Sequence, residues 1–108
     1  MPEQPQRALL VVDVQVDVMK ASVHADAVVS RIADLVGRAR EGGVPVVWVR
    51  HHSNDLVQGT DGWQIVPQLV PALGEPIVEK EYGDAFADTD LSDVLRRAGA
   101  DRVILCGA

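Results

Sequence analysis

Residues 8–13 read Ala-Leu-Leu-Val-Val-Asp, an unbroken apolar run that ends in two β-branched residues and an acid. Continuous runs of this kind are typical of parallel strands that are covered on both faces of a sheet. Three further runs share this character: residues 46–49, Ile77-Val78 and residues 103–106. The sequence therefore predicts four strands of a parallel sheet.

Helical patterns separate the first two and the last two of these runs. Between the first two, apolar residues recur at helical spacing and form one stripe: Val28, Val29, Ile32, Leu35, Val36 and Ala39. Ser22 or Asp26 is expected to cap the start of this helix, and Gly42-Gly43 to end it in the left-handed conformation. A second helix is predicted to begin at Thr89 or Asp90, before the last strand.

Residues 53–75 differ from the rest because glycine and proline interrupt their apolar positions. Prolines break long helices, so we expect an ordered excursion with one helical turn. The alternation of strands and helices around this excursion predicts an α/β fold with a doubly wound parallel sheet. Residues 1–7 are interpreted as a flexible leader, and residues 8–108 as part of a single domain.

The composition of the 108-residue chain excludes several functional classes. A hydrophobic fraction of 47% and a charged fraction of 24% are those of an ordinary globular protein. The net charge of −6 would repel a phosphate backbone, so nucleic acid is not an expected partner. No apolar run has the length of a membrane span, and one cysteine fits a reducing cytoplasm. Without a phosphate-binding glycine loop or dinucleotide fingerprint, we expect no cofactor.

Polar residues follow the predicted strands at the points where the strands end. Asp13 closes the first strand, His51 and His52 lie at the end of the second, and Lys80 follows the third. Ligands of open parallel sheets bind outside the carboxyl ends of the strands. These side chains are therefore expected to share one edge of the sheet, although they are far apart in sequence.

Three segments together resemble the isochorismatase-like cysteine hydrolases: residues 9–15 (Leu-Leu-Val-Val-Asp-Val-Gln), residues 61–91, and residues 103–108 (Val-Ile-Leu-Cys-Gly-Ala). The resemblance implies a Rossmann-like sheet with the first strand between the second and the fourth. It also implies an Asp–Lys–Cys triad that cleaves a small amide-like C–N bond or, in a related variant, an enol ether. The family's nucleophilic cysteine follows the last strand seen here, so we expect an N-terminal part of the domain that is inactive alone.

Asp13 and Lys80 match the family's aspartate and lysine. Asp13 would be the general base that takes the thiol proton, and Lys80 would stabilise the thiolate and the carboxylate. The structural alternatives are an acid that caps a loop and a lysine in a solvated charge run. Cys106 is interpreted as a buried strand residue rather than the nucleophile, because it continues an apolar run.

Substrate contacts are expected from Tyr82, Phe86 and His51. The alternative for the two aromatic residues is packing of their segment onto the sheet, and Trp63 is interpreted as a packing residue or a subunit contact. No metal site is expected, because His51 and His52 are adjacent, and neighbouring side chains of an extended segment point to opposite sides.

Two functions from different classes remain open on the sequence. The first is a hydrolase of a small-molecule substrate, and the second is a non-catalytic truncated homologue that serves as a binding or assembly module. Under either function the fourth strand would present an apolar edge, a feature that promotes association. A homo-oligomer is therefore expected.

Overall fold

The computed structural model describes residues 7–20, 23–81 and 91–107. Within them the chain alternates between strands and helices in the following order: β1 Arg7–Val12, α1 Val16–Lys20, α2 Ala25–Glu41, β2 Val46–His51, a 3₁₀ helix Asp61–Trp63, β3 Ile77–Lys80, α3 Leu91–Arg97 and β4 Arg102–Gly107. Strand β1 begins one residue earlier than predicted, because Arg7 pairs with Arg102. Ser22, Thr89 and Asp90 lie outside the described residues, as do residues 1–6 of the predicted leader.

The four strands form one parallel sheet in the order β3-β2-β1-β4. This confirms the predicted α/β fold and the position of β1 between β2 and β4. Alternate residues of β1 point to opposite faces, which explains why its apolar run is continuous. Leu9 and Val11 belong to one core cluster with α2, whereas Ala8 and Leu10 belong to another with α3. The sheet is therefore covered by a helix on each side.

Helix α2 buries most of its predicted stripe, at Val29, Ile32, Val36 and Ala39. Val28 is partly buried, and Leu35, at the edge of the stripe, is 40% exposed. The proposed Asp26 cap is wrong, because the helix begins at Ala25 and Asp26 occupies its first turn, where an acid complements the helix dipole. At the other end, Gly43 has a φ of 72°, as the predicted left-handed stop requires.

The segment between β2 and β3 is ordered and contains one helical turn, Asp61–Trp63, as predicted. Its apolar side chains at Leu56, Trp63, Val66 and Leu69 are buried. The segment folds back over the residues that follow β1, because Gln15 and Ile65 form an antiparallel bridge. This contact brings the excursion to the carboxyl edge of the sheet. None of the helices in the described ranges is long and apolar enough to cross a membrane.

Strand β4 lies at one edge of the sheet and carries the largest exposed apolar surface of any strand. Val103, Ile104 and Leu105 are 39%, 42% and 69% exposed. In the part of the chain that the structure describes, β4 pairs along β1 only. The predicted apolar edge is therefore present in these residues.

Candidate functional site

The structure brings Asp13 and Lys80 together at the carboxyl edge of the sheet. Asp13 follows β1 and Lys80 is the last residue of β3, with β2 between them. Lys80 Nζ donates a hydrogen bond to Asp13 Oδ2 at 3.1 Å. The Lys80 side chain is only 3% exposed and that of Asp13 21%. A nearly buried ammonium requires a compensating anion, and the Asp13 carboxylate provides it.

The backbone of Asp13 adopts a left-handed conformation, with φ of 59°. Asp13 is the non-glycine residue with positive φ in the described ranges. A left-handed conformation costs a residue with a Cβ about 1–2 kcal/mol, and aspartate tolerates it better than most. Two backbone hydrogen bonds of 2.9 Å hold it: the Asp13 N–H donates to Val49 O, and its carbonyl accepts from the Gln15 N–H. Such local strain is characteristic of functional positions.

The two carboxylate oxygens of Asp13 have different surroundings. Oδ2 accepts the Lys80 hydrogen bond, whereas Oδ1 is buried and accepts none from the residues described. A buried carboxylate oxygen without a donor is costly, so it needs an explanation. One oxygen thus neutralises the lysine, and the other can accept a proton from a reacting group.

Gln15 is a site residue that the sequence reasoning missed. Its side chain is fully buried and makes three hydrogen bonds. Nε2 donates to His51 O at 2.8 Å and to Trp63 O at 2.7 Å, and Oε1 accepts from the His51 N–H at 2.9 Å. The amide therefore joins the end of β2 to the 3₁₀ helix. The sequence analysis included Gln15 in the residues 9–15 that resemble the family, but it assigned this side chain no role.

Arg50 and Glu79 lie on the face of the sheet opposite the Lys80 side chain, where Trp63 packs with them. The Arg50 guanidinium lies 3.7 Å from the centre of the Trp63 ring. Glu79 accepts from Arg50 Nε at 2.7 Å and from Trp63 Nε1 at 3.0 Å. Because Trp63 is 8% exposed, it packs within the chain, one of the two roles foreseen for it. The cluster ties the excursion to β2 and β3 beside the ion pair.

His51 lies opposite Lys80 in the β2–β3 register and is half-buried. Its ring Nδ1 is buried and makes no hydrogen bond to the described part of the chain. His52 instead points toward Glu81, with 3.3 Å between Nε2 and Oε1. Across the described ranges, no three His, Cys, Asp or Glu side chains are grouped so that they could hold a metal ion. Tyr82 and Phe86 lie outside those ranges, so their predicted substrate contacts stay predictions.

Cys106 lies in β4 opposite Val11, as the strand interpretation predicted, but it is half-buried rather than buried. Cys106 is only partly covered because β4 lies at the edge of the sheet. Burial raises the pKa of the Cys106 thiol, which is the opposite of what a nucleophilic cysteine requires. The next residue, Gly107, has φ of 141°, and a Cβ there would collide with the carbonyl oxygen of Val12. This close approach brings the end of β4 beside Asp13.

The molecule is thus an α/β protein with a nearly buried lysine–aspartate ion pair at the carboxyl edge of its parallel sheet. The isochorismatase domain model matches residues 7–108. The chain belongs to the isochorismatase family.

Among its relatives is streptothricin hydrolase of Streptomyces noursei, which is 40% identical over 113 residues covering 96% of this chain and 44% of that protein. N-carbamoylsarcosine amidase of Thermoplasma acidophilum superposes with a TM-score of 0.86 at 28% identity, over 94% of this chain and 67% of that one. An isochorismatase family protein of Desulfovibrio vulgaris superposes with a TM-score of 0.85 at 29% identity, over 97% of this chain and 68% of that one. The chain spans less than half the length of the streptothricin hydrolase sequences that it matches.

Proposed function

We propose that the chain carries the acid–base pair of a cysteine hydrolase that cleaves a small amide-like C–N bond. The observation that carries this proposal is the 3.1 Å hydrogen bond between Lys80 Nζ and Asp13 Oδ2, made by a lysine that is 3% exposed. Two acid–base groups from strands that are not neighbours meet there, where α/β sheets bind their ligands.

In the proposed cycle, Asp13 Oδ1 accepts the proton of the nucleophilic thiol. The thiolate attacks the carbonyl carbon, and backbone N–H groups stabilise the oxyanion that forms. The C–N bond then breaks, and the proton held by Asp13 passes to the leaving amine. Water then attacks the thioester; Asp13 takes a proton from this water and passes it to the departing sulfur, which releases the acid and regenerates the thiol. Lys80 remains protonated throughout and stabilises the carboxylate and thiolate by its charge.

The names of the relatives support an amide-like substrate over an enol ether, since one is an amidase and another a hydrolase of streptothricin. His51 is proposed to line the substrate site, because it lies opposite Lys80 in the strand register. Tyr82 and Phe86 are proposed as further contacts on the resemblance alone. The substrate would be a small molecule.

Cys106 is not the nucleophile in this proposal. Its thiol is half-buried in β4, and burial raises its pKa, so little thiolate is present at neutral pH. The 108 residues are therefore proposed to be inactive alone. We also propose a cytoplasmic location, with which one cysteine in these 108 residues is compatible.

The first test is to read the coding sequence beyond residue 108. An in-frame continuation with a further cysteine would support the hydrolase, and a stop codon would favour the non-catalytic module. Ammonia release from a panel of primary amides and N-carbamoyl compounds then measures activity, with the 108-residue chain as the inactive reference.

Substitution of the ion pair is the second test. These variants are made in the continued chain, meaning residues 1–108 together with any in-frame continuation. Asp13→Asn and Lys80→Met should each lower its turnover by about 10²–10⁴, the usual effect of losing a positioned acid–base group. The matched controls are Asp17→Asn and Lys20→Met, which remove an exposed ion pair of 3.3 Å. Equal losses in both pairs, or full activity without Asp13, would contradict the proposal.

The exposed apolar side chains of β4 favour the second candidate, an assembly module. Val103, Ile104 and Leu105 present this surface on an edge strand. Sedimentation of the 108-residue chain should show a homo-oligomer, and Leu105→Lys should shift it toward monomer. A monomer with a cooperative thermal transition would exclude assembly through β4.

A further inference from the structure

We infer that Gln15 is a positioning residue for the Asp13–Lys80 ion pair. It acts through the backbone that carries Asp13 and through the end of β2, which pairs with the strand that carries Lys80. The expected effect of Gln15 on turnover rests on the proposed function, whereas its effect on the geometry of the ion pair does not. Gln15 is the one fully buried polar side chain in the described part of the chain, and the hydrogen bonds of its amide go to the backbone of His51 and Trp63.

The connection to Lys80 runs through the end of β2. The Gln15 amide accepts from the N–H of His51 and donates to its carbonyl, as a neighbouring strand would. His51 lies opposite Lys80 in the register, and the His52 N–H donates to Lys80 O at 2.9 Å. The amide of Gln15 therefore holds the end of β2 in place. Because β2 pairs with β3, it also holds the backbone of Lys80 in place.

The connection to Asp13 runs through the main chain. The Gln15 N–H donates to Asp13 O at 2.9 Å, and this bond closes the turn in which Asp13 is left-handed. A residue in a sparsely populated conformation persists only when its surroundings over-determine it. With its side chain anchored on His51 and Trp63, Gln15 holds that turn in place.

The third bond of the amide, to Trp63 O at 2.7 Å, ties the excursion to the turn that contains Asp13. The donor and acceptor groups of Gln15 are all directed at backbone atoms, so an apolar side chain of similar volume would remove all three bonds. Gln15→Met is therefore the main variant, and Gln15→Asn, which keeps an amide on a shorter side chain, is the second.

A double-mutant cycle on thermal stability separates positioning from simple stabilisation. Asp13→Asn should lower the thermal midpoint of the wild-type chain, because Lys80 loses the carboxylate that neutralises it. In the Gln15→Met background the pair is already displaced, so the same substitution should lower the midpoint by clearly less. Gln15→Asn should give the same pattern if Gln15→Met does not fold.

Glu75→Gln is the matched control background. It also alters a partly buried hydrogen-bonding side chain, but Glu75 lies before the start of β3, at the opposite end from Lys80. In this background Asp13→Asn should have its full effect. An equal drop in midpoint in all the backgrounds would overturn the inference, since distant independent sites are additive.

The catalytic part has a separate readout in the continued chain. Gln15→Met should lower kcat by about 10²-fold with KM unchanged, because misplacement by about 1 Å costs that much. Coupling in the stability cycle without any effect of Asp13→Asn on hydrolysis would refute the proposed function and leave the positioning role standing. Hydrolysis that depends on Asp13 without coupling to Gln15 would refute the positioning role alone.

Discussion

Glu75 offers a sharp test of how the excursion between β2 and β3 is held. Its carboxylate accepts two hydrogen bonds from Arg40, of 2.9 and 2.8 Å. The Ala72 N–H and Trp48 Nε1 donate to the same carboxylate at 2.8 and 3.0 Å. The hydrogen bonds from Arg40 contribute most to lowering the pKa of Glu75 from 4.5 to about 2, against the opposing effect of burial.

The pKa shift sets the expected size of the effect. A shift from 4.5 to about 2 corresponds to an upper bound of about 3 kcal/mol of stability, at 1.36 kcal/mol per unit. The Arg40 side chain is 40% exposed, so solvent screens the pair and we expect about 1–2 kcal/mol. Glu75→Gln keeps an oxygen for Ala72 and Trp48 but loses the charge. It should therefore lower the free energy of unfolding by that amount at pH 7.

The pH dependence follows from the direction of the shift. Because the folded pKa of Glu75 is lowered, its stabilisation is complete above the unfolded value of 4.5 and is lost as the pH falls toward about 2. The difference between wild type and Glu75→Gln should thus shrink below pH 4.5, and more than half of it should be gone by pH 3.

Urea unfolding followed by tryptophan fluorescence at pH 7 and pH 3 measures both values. Glu41→Gln is the control, since Glu41 is exposed at the end of α2 and should change the free energy of unfolding little. Equal stability of wild type and Glu75→Gln at pH 7, or an undiminished difference at pH 3, would refute the role assigned to the Arg40 ion pair.

Two further outcomes follow from the end of β4. Gly107→Ala should destabilise the chain by more than about 1 kcal/mol, because φ is 141° and the added Cβ would meet the Val12 carbonyl; a thermal midpoint equal to wild type would contradict this. The rate of alkylation of Cys106 by iodoacetamide should reach its midpoint at a higher pH than that of a free thiol, because burial raises the pKa of Cys106. Fast alkylation at pH 7 would contradict the strand interpretation. Cys106→Ser should change the melting temperature rather than turnover.

Much of the fold was predictable because it depends on local patterns. The continuous apolar run of β1 reflects contact with helices on both faces, and the glycine at position 43 reflects a left-handed helix end. The convergence of Asp13 and Lys80 was also predictable, since the carboxyl ends of parallel strands share one edge. Their catalytic roles stay predictions.

The exposure of Leu35 and the role of Gln15 were not predictable in this way. Leu35 fits the apolar stripe in sequence, but the width of the surface that α2 meets decides which edge residues are covered. The role of Gln15 depends on Trp63, far along the chain, whose carbonyl accepts a hydrogen bond from the Gln15 amide only in the folded structure.

The sequence alone determined the class of fold and the strand ends at which Asp13 and Lys80 lie, because strand periodicity and chain direction are local properties. Only the tertiary structure decided the 3.1 Å contact between them, the left-handed backbone of Asp13 and the burial of Gln15. These features require hydrogen bonds between segments that are distant in sequence, and such bonds exist only after the excursion has packed against the sheet.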